Sequence, residues 1–262
     1  MTAQTPKNRL GIISALYEEQ QGLVDAMQGS TTLRHGMRQY TEGKLWGIDA
    51  VCVLSRIGKV AAATTATMLI ERFGVTHIIF TGVAGAGNAT VKVGDIVVAE
   101  SLVQYDLDTR PLFPQFEVPL TGLSHFESDS NLSTKLTNAA RDFINNRLDA
   151  VIAGEERSTF KLENPRIHRG LIGSADQFAN KPAQLMALHH SLPGLLAVEM
   201  EGAAVAQVCF ELGVPFGVIR AISDNANSEA ATDFMHFVRT IAARYAFNIV
   251  KGFCENEPFG KA

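Results

Sequence analysis

A 262-residue chain that is 46% hydrophobic, 8% aromatic and 19% charged has the make-up of a globular protein, with room for one large α/β domain or two smaller ones. Its net charge of −4 gives no basic footprint for nucleic acid and no attraction to an anionic membrane surface. Three well-separated cysteines, Cys52, Cys209 and Cys254, with no Cys-x-x-Cys or Cys/His cluster, read as buried reduced thiols and offer no metal set.

Met1 to Arg9 is polar and lacks the apolar stretch of a signal peptide, and no apolar run is long enough for a membrane helix, so a cytoplasmic location is expected. Leu10 to Leu16 is a short apolar strand. It runs into Tyr17-Glu18-Glu19, and Leu23, Val24 and Met27 then recur at helical spacing. Two acids in a first helical turn are ordinarily explained by the helix dipole, so this pair is only a candidate. Tyr40–Lys44 and Ile48–Leu54 read as paired strands. Ser55 to Lys59 is a turn that opens an Ala/Thr-rich helix from about Val60 to Phe73, closed by Gly74. The small face of that helix suits close packing against the sheet or against a second subunit.

Thr76–Thr81 is a buried-strand pattern, followed by a glycine-rich loop, Gly82 to Gly87. A dinucleotide fingerprint requires a helix next, to hold pyrophosphate at its N-terminus. Val91 to Val98 is instead a turn and another strand. The loop is left as a place where a small ligand can approach backbone closely. Tyr105 to Asp129 is irregular, with Pro111, Pro114 and Pro119 among Phe113, Phe116 and Phe126, and a loop this long usually has a function or lies at an interface.

Leu132 to Leu148 is an amphipathic helix. Val151–Gly154 and Arg169–Ser174 are expected strands, with Glu155 to His168 a surface connection between them. Ala175-Asp176-Gln177-Phe178 follows a strand directly. His189 and His190 sit on a helix, where neighbours point about 100° apart, so they are not expected to share a metal. Leu195–Val198 is an apolar strand ending in Glu199-Met200-Glu201, and a helix from Gly202 to Leu212 follows. Phe216 to Asp224 is a further apolar strand ending in Ser223-Asp224. A last amphipathic helix runs from about Ala231 to Gly252. The expected architecture is a single-domain, three-layer α/β/α fold with a central mixed, twisted sheet.

Three strand ends therefore carry carboxylates: Glu18/Glu19, Glu199/Glu201 and Asp224. The chain has no Gly-x-Ser-x-Gly nucleophile elbow. Carboxylates without a metal or a nucleophile suit acid/base cleavage of a glycosidic bond, in which one protonates the leaving group and another activates water. Composition alone does not choose this over a ligand-binding α/β protein.

The motifs Gly11-Ile-Ile-Ser-Ala-Leu-Tyr-Glu-Glu19, Ile57-Gly-Lys-Val-Ala-Ala-Ala63, Thr81-Gly-Val-Ala-Gly85, Val93-Gly-Asp-Ile-Val-Val98, Ala197-Val-Glu-Met-Glu201 and Arg220-Ala-Ile-Ser-Asp224 add a resemblance. In this order, over about residues 10 to 250, the chain resembles the nucleoside phosphorylase/nucleosidase superfamily, most closely its bacterial 5′-methylthioadenosine/S-adenosylhomocysteine nucleosidases. The resemblance implies hydrolysis of an adenine thionucleoside by water, without cofactor or metal. It implies that Asp224 is the acid at adenine N7, steadied by Ser223, that Glu19 activates water, and that Glu201 binds the ribose hydroxyls. Met200 would pack against the ribose and Phe178 along the adenine, the backbone near Phe178 and Ala179 would read the base edge, and Ile57 would also bind the substrate. Val83, Ala84 and Gly85 would line the sugar side. Glu199 has no chemical role in this scheme and is read as a solvated helix-start residue.

The resemblance further implies a homodimer in which the loop from Tyr105 to Leu120 covers the partner's 5′ substituent, with Phe113, Pro114 and Phe116 as the candidates here. It divides the chain into a flexible N-terminus (1–9), one nucleosidase domain (10–252) and a flexible tail (253–262). Tyr17 replaces an acid that many family members carry, and Arg56 replaces a small residue. Arg56 is expected to point away from the sugar and pair with a surface acid. Two rival readings remain: a phosphorylase of the same fold, which needs a phosphate cradle where this chain has Glu18 and Glu19, and a non-catalytic nucleoside-binding relative, which has no need of both an acid and a base.

Overall fold

In a computed structural model of the chain, which describes residues 8–162, 164–179, 182–227 and 230–256, the apolar runs assemble into one mixed sheet of ten strands. At its centre is β1 (Leu10–Ser14), buried at every position. Leu10 and Ile12 join the core on one face of the sheet, and Ile13 joins the core on the other. Both faces are covered, so the strand reads as a continuous apolar run rather than an alternation.

α1 (Tyr17–Gln20) is a single turn. The helical spacing through Met27 does not extend it, because Gly22 takes a left-handed φ of 86° that ends the helix. β2 (Gln28–His35) follows, and the sequence pattern did not reveal it. It is an exposed edge strand, so it has no apolar face to show. β3 (Arg38–Leu45) and β4 (Ile48–Leu54) pair antiparallel across the tight Trp46-Gly47 turn, as expected. β4 runs parallel to β1.

α2 (Lys59–Glu71) leads to β5 (His77–Ala86), the strand that organises the sheet. β5 pairs with β1 along His77–Phe80 and with β9 (Leu195–Glu199) at Gly85 and Ala86. It also pairs with β10 (Phe216–Asp224). The expected glycine-rich loop is therefore strand as far as Ala86, a correction whose reason lies in the site. β6 (Ile96–Gln104) pairs with β10, β7 (His125–Glu127) and β8 (Ile167–Ser174). β8 pairs with β9. The path β10-β6-β8-β9-β5 thus closes on itself through the β5–β10 pairing.

α3 (Ser130–Asp142) starts where Asp129 Oδ1 accepts the Leu132 N–H at 2.8 Å. A π-helical turn, Phe143–Arg147, joins it to α4 (Leu148–Val151), and α5 (Gly154–Phe160) follows. The expected strand at 151–154 is thus corrected to the end of one helix and the start of the next, and the expected surface connection after it carries α5, none of whose residues is buried. Val151 and Ile152 close the apolar face of this helical segment rather than entering the sheet.

α6 (Pro182–Ser191) precedes β9, and α7 (Gly202–Leu212) follows it. α8 (Ala230–Phe237), a π-helical turn over Val238–Ala242, and α9 (Ala243–Glu255) complete the chain. α3 and α9 cover the face that holds Leu10 and Ile12, and α2 and α7 cover the other. The two cores sandwich the sheet and give the three expected layers. Phe253 and Cys254 are buried at the end of α9. Arg9, just before β1, is tied to Glu42 at 2.8 Å and to the Phe73 carbonyl at 2.7 Å. The folded unit therefore extends past the expected limits of 10 and 252. No helix among the described residues is long and apolar enough to cross a membrane.

Candidate active site

The carboxyl ends of β1, β9 and β10 converge on one open cavity with about 670 Å³ of empty space between its walls, counting the mouth. Glu19, Glu201 and Asp224 line it together with Ile57, Val83, Ala84, Gly85, Phe178, Ala179 and Met200. Residues predicted from six separate sequence segments thus meet around one space. Ser223 stands behind the wall, its Oγ 2.8 Å from Asp224 Oδ2 and 3.3 Å from the Ala84 carbonyl.

Glu19 is buried, and backbone holds it firmly. Its Oε2 accepts the N–H groups of Ala15 and Leu16, each at 2.8 Å, and its Oε1 accepts that of Val83 at 3.0 Å. Two carboxylate oxygens offer about four lone-pair positions. Three are occupied, and one remains for a water molecule. Burial raises the pKa of Glu19 above the ordinary carboxylate range, while the three N–H groups and the Arg220 charge oppose the rise. Glu18 is only partly buried and does not line the cavity.

The glycines of β5 make room for these acids. A Cβ on Gly82 would lie 2.9 Å from Glu19 Oε1, and one on Gly85 would lie 3.0 Å from Asp224 Oδ1. Gly85 pairs with Asp224 on one side and Val198 on the other. A glycine run that suggested a flexible loop is a strand stripped of side chains where carboxylates must enter.

Asp224 is held by Ser223 and by the Ala226 N–H, which reaches Oδ1 at 2.8 Å. Burial nevertheless raises its pKa, and this favours the protonated form that an acid catalyst needs. Glu201 caps α7 in space and accepts the Gly58 N–H at 2.7 Å, at the start of α2. Burial, and next the Glu199 charge, push it up to about 8.

Glu199 is not the solvated residue expected. It is buried and accepts the N–H of Gly202 at 2.8 Å and that of Glu201 at 3.2 Å. Ser174 donates to its other oxygen. Arg220 Nη2 pairs with it at 2.8 Å and lies over the Phe80 ring. Nor does it start a helix: it ends β9, two residues before Glu201, which precedes α7, and its partners are internal. Arg56 is also corrected. It turns away from the cavity, but it donates to the Met37 carbonyl at 2.8 Å rather than to an acid.

The segment carrying Phe178 is fixed by a chain of charges. Lys59 Nζ pairs with Asp106 at 2.6 Å, Asp106 accepts the Asp176 N–H at 2.9 Å, and Asp176 accepts the Lys59 N–H at 2.8 Å. Phe178 stays partly exposed and meets Phe234 edge-on, with ring centroids 5.7 Å apart. Phe234, Tyr105 and Gln177 also line the cavity, and sequence reasoning missed them. Tyr105, at the head of the irregular loop, and Gln177, directly after a strand, carried a signal, and Phe234 carried none. Of the loop candidates, Phe116 is buried against Tyr105 in the core of its own chain, whereas Pro114 is exposed and Phe113 partly so. Among the described residues, no lysine, arginine or histidine lines the cavity, and no group of histidines, cysteines or acids is arranged to hold a metal.

This fold and this site define a class. A model of the phosphorylase superfamily matches residues 9–255, and the chain belongs to that superfamily. A 5′-methylthioadenosine/S-adenosylhomocysteine nucleosidase of Geobacillus kaustophilus is 32% identical over 244 residues, which cover 92% of this chain and 94% of the relative. The crystal structure of the Neisseria meningitidis nucleosidase of the same name, in complex with methylthio-immucillin-A, superposes with a TM-score of 0.84 at 31% identity, covering 96% of this chain and 100% of that one. A futalosine hydrolase mutant of Helicobacter pylori superposes with a TM-score of 0.81 at 28% identity, covering 96% of this chain and 100% of that one. Within the superfamily, the chain belongs to the 5′-methylthioadenosine/S-adenosylhomocysteine nucleosidase family.

Proposed function

We propose that the protein hydrolyses the N-glycosidic bond of 5′-methylthioadenosine and S-adenosylhomocysteine, releasing adenine and the thioribose. The observation that carries this reading is the composition of the cavity wall: the acids Glu19, Glu199, Glu201 and Asp224 line it, and no described lysine, arginine or histidine does. An incoming phosphate dianion would lose its hydration there with no cation to receive it, and any of these acids that is ionised would repel it. Water meets no such barrier, so the wall favours a hydrolase over a phosphorylase. The presence of both an acid and a base also distinguishes the site from a simple nucleoside binder.

In the proposed reaction the bond between the anomeric carbon and N9 breaks, and its electron pair leaves with the purine. Asp224 delivers a proton to N7, so adenine departs neutral. Positive charge builds on the sugar, and Glu201 holds the ribose hydroxyls through a contact that strengthens as that charge grows. A water molecule on the free lone pair of Glu19 attacks the anomeric carbon and gives up its proton to Glu19. Proton exchange with solvent then resets both acids. Met200 and Ile57 pack the sugar, and Phe178, backed by Phe234, covers the base beside Ala179. In a homodimer, Phe113 and Pro114 would cover the partner's 5′ substituent, with Phe116, buried in its own subunit, anchoring their loop. The test is adenine release from 5′-methylthioadenosine by the wild type and by Asp224→Asn. Turnover should fall about 10²-fold or more in the variant, as expected for loss of a general acid. Near-normal turnover would overturn the assignment.

A further inference from the structure

A second cavity lies on the other side of α1, between that turn and the β2–β3 hairpin, with about 1310 Å³ of empty space counting its mouth. It is the more polar of the two and holds the opposite charge. Arg34, Arg38 and Arg56 line it against one acid, Asp25, in a chain whose net charge is −4. Among the described residues, the three guanidinium groups bond only to neutral groups. Arg34 Nε donates to the Gly36 carbonyl at 3.3 Å, Arg38 Nη2 to the carbonyls of Ser55 and Ala61 at 3.1 Å each, and Arg56 Nη2 to Met37 at 2.8 Å. None of the three is in an ion pair among the described residues.

Two further donors in the same wall lack acceptors. Gln20 is 9% exposed, and its Nε2 has no hydrogen-bond partner, nor does the buried Nε of Arg38. A buried donor without an acceptor costs about 1–3 kcal/mol, so such groups are ordinarily paired. Here two of them border one cavity together with three uncompensated cations. Tyr17, 69% exposed, stands at the rim as a flat apolar surface.

We infer that this cavity binds a phosphorylated small molecule of sugar or nucleotide size. Three guanidinium groups over one carboxylate match a phosphomonoester dianion, which guanidinium recognises through paired N–H···O bonds. The space is too large for inorganic phosphate alone, and the Gln20 amide and Tyr17 ring supply contacts for the body that carries the phosphate. This site is separate from the catalytic cavity, although Ala15 lines both and Glu19 and Gln20 are neighbours on α1.

The test is isothermal titration of the full chain with ribose 5-phosphate, ribose and inorganic phosphate, using the wild type and the double variant Arg34→Glu/Arg56→Glu. Both arginines are exposed, and neither lines the catalytic cavity. The wild type should bind ribose 5-phosphate more tightly than inorganic phosphate and should not bind ribose. The double variant should bind ribose 5-phosphate about tenfold more weakly or worse, with an unchanged melting curve. Gln20→Leu should weaken binding as well. Failure of the wild type to bind ribose 5-phosphate, or equal binding by the charge-reversed variant, overturns the proposal.

Discussion

Arg220 and Glu199 meet at 2.8 Å inside the sheet, with side chains only 1% and 3% exposed. Arg220 comes from the middle of β10 and Glu199 from the end of β9, so the pair ties the strand that carries Asp224 to the turn that carries Glu201. Arg220 also donates to the Phe80 carbonyl at 3.0 Å. Glu199 in turn receives the first N–H of α7, that of Gly202. The pair thus fixes three walls of the site. Removing one partner of such a buried pair leaves the other charge uncompensated, and this costs about 3–5 kcal/mol. Glu199→Ala should lose that much in chemical denaturation. A loss below about 1 kcal/mol would show that the pair does not hold the sheet end together.

Gly82 tests the fit between β5 and Glu19. Alanine there places a Cβ 2.9 Å from Glu19 Oε1, inside contact distance. Three backbone N–H groups hold the carboxylate, so it cannot turn aside freely. Gly82→Ala should lower turnover about 10- to 100-fold, as expected when a reacting group is displaced by a fraction of an ångström to one ångström. Turnover within threefold of wild type would mean that Glu19 tolerates displacement.

Glu201 makes stability depend on pH in a defined direction. Its pKa lies at 4.5 when exposed and about 8 in the fold. The native state holds this proton where the unfolded state has lost it. Stability therefore falls as pH rises from about 4.5, and the loss is complete once pH passes about 8. Glu201→Gln removes this contribution. The variant should gain on the wild type in thermal denaturation steadily across that window and level off above it. Parallel stability curves would place the Glu201 pKa near its ordinary value.

Phe178 and Phe234 form the aromatic side of the cavity, ring against edge. Phe178→Ala removes the face assigned to the base and should raise KM about tenfold while kcat stays within about threefold. Stacking of equal strength in the ground and transition states contributes to KM and leaves kcat alone. A fall in kcat with KM unchanged would instead give Phe178 a role in the transition state.

Much of this was legible in the sequence, and what was not has physical reasons. The acids at the strand ends could be read because apolar runs fix where strands stop, and Glu19, Glu201 and Asp224 do share one cavity. The β5 glycines misled, because glycine most often marks a turn. Here it marks a missing Cβ beside Glu19 and Asp224. β2 is polar but for the exposed Leu33 because it lies at the sheet edge, so no alternation betrays it. Glu199 and Arg220 lie 21 residues apart, and nothing local links them. The available signal was Arg220 itself, a cation inside an apolar strand, which requires a buried acid. Phe234 comes from α8, well beyond the motifs, and only the packed structure sets it against Phe178.

The central claim is that water, and not phosphate, attacks the sugar in a cavity walled by carboxylates. Incubation with 5′-methylthioadenosine, with and without phosphate, followed by identification of the sugar product, tests it most directly. Free methylthioribose under both conditions is the expected result. A sugar 1-phosphate that forms only when phosphate is present would contradict it.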